Sequence, residues 1–267
     1  MNQLNLNEVR EIELNLLKRF KAYCEENDIR YFVSNGTLLG AVKYKGFIPW
    51  DDDIDVLVPR EDYNRMVEDF EDSDQYRMFS FERNSKFFYP FAKFCDMTTR
   101  KEEINMDNGV ALGIDIDIFP LDSWNDDLGK AKCEVKKISK AMFRLGLTKM
   151  AKSDSINRIK RFIKSIFMMF YKVLGSKYFI KQIISFCKKT DGEKSGYLGC
   201  KSWCVYGERE IIPEHVFADT IEVEFEGDKF SAPAGYDVYL RSLYGDYEKD
   251  PPLEEQKTHH KYNAYRI

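Results

Sequence analysis

A chain of 267 residues, 43% hydrophobic and 32% charged, can bury one large core, which excludes a disordered tail, a fibrous repeat and a disulfide-stapled miniprotein. Its net charge of −4 conceals a division: residues 130–190 carry 17 Lys+Arg against Glu134 and Asp154, a local +15 that leaves −19 elsewhere. The six cysteines are scattered, and Cys200 and Cys204 in "CKSWC" lack a second pair at zinc-ligand spacing, so reduced thiols are expected and a zinc centre is disfavoured.

The opening "MNQLNLNEVREIELNLLKRF" is charged throughout and has no apolar stretch of the signal-peptide kind, so a cytoplasmic location is expected. Val9, Ile12, Leu16, Leu17, Phe20 and Cys24 recur at helical spacing and predict an amphipathic helix over 7–26, with Asn7 as N-cap and Asn27 as stop. "IRYFV" (29–33) predicts a strand, Asn35-Gly36 a tight turn, and "TLLGAV" a short helix. "DIDVLV" (53–58) alternates acids with apolar residues and then runs apolar, as a strand entering a core does, and Pro59 ends it. A helix is predicted over 60–70, then strands at "YRMFSFE" and "FFYPFAKF".

In "GIDIDIFPLD" (113–122) a strand period of two puts Ile114, Ile116 and Ile118 on one face and Asp115 and Asp117 on the other. Residues 128–190 read as basic helices with "RFIKSIFMMFYKVLG" in the middle, where Lys164 and Lys172 interrupt any run of the roughly 20 apolar residues a bilayer crossing needs. A hairpin around Glu226-Gly227-Asp228, a helix ending at Gly245 and a polar tail read mostly as loop complete the chain. The expected fold is α+β with a mixed α/β sheet: a core over 1–127, a basic helical insertion over 128–190, and a return to the core over 191–267.

"GFIPWDDDIDVLV" (46–58) sets four aspartates against a buried-type strand, where unpaired carboxylates would repel one another and lose solvation. Asp53 and Asp55 point to one side, and Asp115 or Asp117 can add an oxygen from a second strand; such a set suits a hard divalent ion that bridges to phosphates. A calcium loop is disfavoured, because Val56 stands where the loop needs glycine and Asp62 where it needs glutamate. Asp51 and Asp52 read equally well as solvated loop residues. The "SNGT" turn ahead of the acids can offer N–H groups and a hydroxyl to a phosphate.

The segments "GTLLGAVKYKGFIPWDDDIDVLVPREDY", "YPFAKFCDMTT", "GIDIDIFPLD" and "YGDYEKDPP" with the later "HH" occur in an order that resembles the LicD family of bacterial phosphocholine transferases, with fukutin-related proteins as more distant relatives. The resemblance spans about 8–260. It implies a nucleotidyltransferase-like core and transfer of phosphocholine, or a similar substituted phosphate, from CDP-choline or a related CDP donor to a hydroxyl of a teichoic acid or lipopolysaccharide precursor. It further implies that Asp53 and Asp55 bind magnesium, with manganese as the alternative, and that Asp117, or else Asp115, completes the metal site or acts as base. Gly36 and Thr37 would then contact donor phosphates, and Lys93 and His259 or His260 would neutralise phosphate charge, or else serve structure.

A choline head group would call for an aromatic box, for which Trp50, Phe88, Tyr89, Phe91, Trp203, Tyr206 and Tyr244 are candidates, although rings are more often core. The basic helices read as a solvated face, as a peripheral contact with the inner leaflet where a lipid-linked acceptor would be met, or as a nucleic-acid surface. Nucleic acid is the weakest of these, since no recognised motif accompanies the charge. Two rival functions remain: a nucleotidyltransferase that uses CTP or another NTP and releases pyrophosphate, and a non-catalytic module that binds nucleotide or choline-bearing glycan.

Overall fold

The computed structural model describes residues 2–104, 109–150, 158–190, 195–258 and 261–267. A two-residue strand β1 (Asn2–Gln3) precedes helix α1 (Leu6–Glu26). The cap of α1 is Asn5 and not Asn7: the Asn5 side chain accepts from the N–H groups of Asn7 and Glu8, and the Glu8 carboxylate accepts in return from the Asn5 N–H at 2.9 Å. That reciprocal pair is a capping box, which moves the helix start upstream of the first apolar residue. The six apolar residues expected on the buried face are buried, and Asn27 caps the other end.

The turn expected at Asn35-Gly36 is instead the first turn of a helix. Strand β2 (Phe32–Val33) runs through Ser34 into α2 (Asn35–Tyr44), followed by β3 (Asp55–Pro59), α3 (Arg60–Asp69), β4 (Tyr76–Phe79), β5 (Ala92–Glu103) and β6 (Leu112–Ser123). The strand expected at "FFYPFAKF" begins only at Ala92; residues 87–91 are buried but unladdered, in keeping with Pro90, which has no N–H to donate. Helices α4 (Leu128–Lys149), α5 (Arg158–Leu174) and α6 (Ser176–Lys188) follow, then β7 (Tyr197–Gly199), β8 (Ile212–Pro213), β9 (Thr220–Phe225), β10 (Asp228–Pro233), α7 (Tyr236–Tyr244) and β11 (Tyr262–Arg266). The hairpin turn falls on Glu226 and Gly227, both at positive φ as a two-residue turn requires, and α7 ends at Gly245.

The fold is α+β around a mixed sheet ordered β1-β11-β5-β6-β3-β2, with β4 and β7 pairing from the sides. Only β3 and β6 run parallel among these pairs; β5 and β6 are antiparallel with a bulge between Asp96 and Lys101. At the bulge Gly113 passes so close to the Asp96 carbonyl that a Cβ would lie 1.9 Å from it, which fixes glycine there. The tail expected to be loop supplies β11 against β5, pairing Ala264 with Lys101. Helices α4 and α6 contribute Ala141, Leu145, Phe179, Ile180 and Ile183 to the same core as the sheet. No helix among the described residues is long and apolar enough to cross a membrane.

Candidate active site

The parallel pair β3 and β6 brings the two acidic motifs together, with Asp55 directly across from Asp117. Strand β3 begins at Asp55, so Asp53 lies just outside it, yet the Asp117 N–H still reaches the Ile54 carbonyl at 2.8 Å and carries the pairing one residue further. Thr37 is buried in α2, and its hydroxyl accepts the Asp55 N–H at 2.8 Å, which ties the helix start to the acidic strand. Gly36 leaves room for Asp51: a Cβ at 36 would lie 2.4 Å from Asp51 Oδ2.

Asn35 sits in the left-handed region at φ 45°, a conformation asparagine tolerates better than most side chains. There its Oδ1 accepts from the Tyr239 hydroxyl at 2.9 Å while its amide supports the Asp55 carboxylate. The loop bearing Asp51 is anchored by Arg10 of α1, whose guanidinium donates to the carbonyls of Ile48 at 2.9 Å, Pro49 at 3.0 Å and Asp51 at 3.0 Å. Carboxylate oxygens of Asp51, Asp52 and Asp53 lie within 4.8 Å of one another, and Asp52 is buried.

Two lysines divide the acids into separate environments. Lys93, across from Asp117 on β5, donates to both Asp115 Oδ2 and Asp117 Oδ1. Lys101 lies 2.9 Å from Asp115 Oδ1. Against its burial, Lys101 and Lys93 hold the Asp115 carboxyl well below the usual carboxylate range. Burial pushes Asp117 up to about 6, with the Asp115 charge adding to the rise and Lys93 opposing it. Burial and the neighbouring charges of Asp53, Asp117 and Asp51 push Asp55 well above its ordinary range. The Asp55 side of the cluster therefore carries mutual repulsion, whereas Asp115 is matched by lysines. The carboxylates that converge closely enough for one ion are those of Asp51, Asp52 and Asp53, hard oxygen donors that suit a magnesium-type cation, while Asp55 and Asp117 add negative charge from the adjoining strands.

The remaining candidates are distributed around this centre. Half-buried Trp50 stands edge-on to Tyr44 at 6.3 Å. Phe88 and Phe91 are core residues; Tyr89 donates to Glu103 at 2.9 Å, and Lys93 Nζ lies 4.9 Å from the Tyr89 ring centre. Trp203 is half-buried against Tyr89 and Phe91, and the Tyr206 hydroxyl donates to that of Tyr244 at 2.9 Å, close enough to Asp55 to feel its charge. His259 and His260 lie outside the described residues.

Sequence reasoning missed Asn35 as a support for Asp55, Tyr239 behind it, Lys101, and Glu13. The signal for Glu13 was present: it occupies a position inside the apolar stripe of α1, and it is fully buried with neither carboxylate oxygen hydrogen-bonded among the described residues. Burial raises its carboxyl well above the ordinary range, with Lys101 opposing that rise. Lys101 had no comparable signal, because the bulge in β5 sets where it points.

An α+β fold whose adjacent parallel strands carry acids in register behind a glycine-bearing helix start is a nucleotidyltransferase-like fold. The family model described as LicD/FKTN/FKRP, nucleotidyltransferase domain, matches residues 28–148. The chain belongs to the LicD family: it is 33% identical over 278 aligned residues to the lipopolysaccharide cholinephosphotransferase LicD of Haemophilus influenzae, covering 99% of each chain. Uncharacterized proteins of Rickettsia prowazekii and Rickettsia typhi are each 45% identical over 47 residues, 18% of this chain.

Proposed function

We propose that this chain transfers phosphocholine, or a similarly substituted phosphate, from a CDP-activated donor to a hydroxyl of a cell-surface glycan precursor, with lipopolysaccharide or teichoic acid as the acceptor class. The full-length likeness to a cholinephosphotransferase carries this reading, and the in-register acids Asp55 and Asp117 support it. Asp51, Asp52 and Asp53, beside Asp55 and Asp117, would hold magnesium, or manganese, which when bound offsets the donor's phosphate charge and steadies the attacking and leaving oxygens.

Asp117 is the better third acid. Lys93 occupies its Oδ1, leaving Oδ2 to the site, whereas Asp115 is buried and bound by Lys93 and Lys101 on both its oxygens. Lys93 thereby holds Asp117 in place and offsets part of the acids' charge. The acceptor oxygen attacks the phosphorus distal to the nucleoside, and the bond from that phosphorus to CMP breaks, its electron pair leaving with CMP. The hydroxyl proton passes to a carboxylate of the cluster, and Asp117, held by Lys93 directly across from Asp55, is the one positioned to accept it. Use of a CDP donor places the reaction on the cytoplasmic side.

The test is nucleotide release by the purified protein with magnesium, given CDP-choline, CDP-ribitol, CDP-glycerol and CTP in parallel, with and without lipopolysaccharide or teichoic acid acceptor. Acceptor-dependent CMP from one CDP donor, lost in Asp53→Ala, is expected. Pyrophosphate from CTP would reassign the protein to the nucleotidyltransferases. Calorimetric binding without turnover would make it a binding module.

A further inference from the structure

Helix α5 is amphipathic but turned the opposite way from a core helix. At 100° per residue, Phe162, Ile166, Met169, Phe170 and Val173 fall on one face, and all five are exposed, Val173 by 84% and Phe162 by 69%. Met168, on the opposite side, is buried, and half-buried Tyr171 packs its ring edge-on against Phe179 of α6 at 5.6 Å. The helix therefore rests on the protein by its more polar flank and presents its apolar stripe outward. Contiguous apolar surface of this extent is rare on a protein that meets only water. Phe143 of α4 and Tyr178 of α6 are also exposed and extend the apolar character of this layer.

The charge around the stripe identifies what covers it. Neither α5 nor α6 contains an acidic residue, while Lys172, Lys177 and Lys181 are among their basic residues. Two copies packed through this face would bring cation against cation, and a nucleic acid would leave the apolar rings unused. An outward apolar stripe flanked on its own helix by Lys172, with no acid on either helix, suits an anionic phospholipid surface, with the rings at the level of the acyl boundary and the ammonium groups among the headgroups.

We propose that α5 lies in the interface of an anionic membrane leaflet and holds the protein there peripherally. This inference rests on the surfaces of α5 and α6, independently of which head group is transferred.

The test is sedimentation of the full chain with vesicles of phosphatidylethanolamine and phosphatidylglycerol, compared with neutral vesicles of phosphatidylethanolamine and phosphatidylcholine. Selective binding to the anionic vesicles is expected, weakening as salt rises. Phe162→Ser with Phe170→Ser, both at exposed positions, should reduce that binding at least about tenfold while circular dichroism stays unchanged, since burying two such rings is worth several-fold each. Lys172→Glu with Lys181→Glu should reduce it as well. Absence of wild-type binding, or equal binding by the Phe double variant, would overturn the proposal. So would a solution dimer, seen by light scattering, that dissociates in the same double variant, because the stripe would then belong to a second copy. Vesicle binding needs neither donor nor acceptor, so its outcome is separate from that of the nucleotide-release test.

Discussion

The sheet around Asp55 and the helical layer of α4 to α6 depart from the ordinary inside-out rule in opposite directions. In the sheet, Asp55, Asp115 and Lys93 are buried charges; in the layer, Phe162, Phe170 and Val173 are exposed apolar groups. Each departure lowers stability relative to a conventional surface and core, and a chain retains such features where a ligand or a surface completes them. The sheet further separates its acids: Asp53, Asp55 and Asp117 repel one another, while Asp115 is paired with Lys93 and Lys101.

The widest difference is expected within that sheet. Asp115→Asn leaves the buried Lys93, and Lys101 with it, beside a neutral group and should destabilise by about 3–5 kcal/mol, the usual cost of breaking a buried ion pair. Asp55→Asn removes a charge that Asp53, Asp117 and Asp51 all repel, so its stability should equal or exceed wild type while nucleotide release falls to background. Urea unfolding and turnover, measured on both variants, test this division of labour. Equal loss of stability in the two would mean that Asp55 is as structural as Asp115.

A smaller effect is expected where the helical layer meets the sheet. Lys201 is fully buried, and its Nζ donates to the Ser123 carbonyl at 3.1 Å, to Thr190 Oγ1 at 3.0 Å and to Glu134 of α4 at 3.2 Å. Lys201→Met should cost about 2 kcal/mol, because Glu134 keeps access to solvent once its partner is gone. Nucleotide release per folded molecule should persist. A collapse of turnover without loss of stability would place Lys201 in the site.

What the sequence made legible followed from short periods. The alternation in "GIDIDIF" put Asp115 and Asp117 on one face, and the apolar spacing of α1 and the Glu226-Gly227 turn gave two further elements correctly. Pairing between distant segments was not legible: nothing local set Asp55 opposite Asp117, bulged β5 so that Lys101 reached Asp115, or drew the polar tail into β11. Nor does periodicity say which way a stripe faces. The same pattern that buries Leu16 in α1 leaves Phe162 of α5 exposed. The cap of α1 falls on Asn5 and not on Asn7, because Glu8 completes a capping box with Asn5 upstream of the first apolar residue of the stripe.

Glu210 shows a third way of holding a buried acid, and it gives the smallest and most specific expectation. It ends the short 3₁₀ turn Gly207–Glu210, fully enclosed, and its neighbours are the N–H groups of Tyr206 and Cys200 rather than a cation. Burial pushes its carboxyl up to about 8. The folded state thus keeps a proton that the unfolded chain gives up near the ordinary glutamate value. Because the folded value is the higher one, the stabilisation is complete below the ordinary range and is lost as pH rises towards 8. Between pH 7 and 8 the protein should lose roughly 1 kcal/mol of unfolding free energy from this group. Glu210→Gln preserves the shape and an acceptor oxygen but cannot titrate, so its stability should fall less across that step than that of wild type. Parallel slopes in the two urea series would show that Glu210 is already ionised in the folded protein, and that its two backbone N–H bonds outweigh burial.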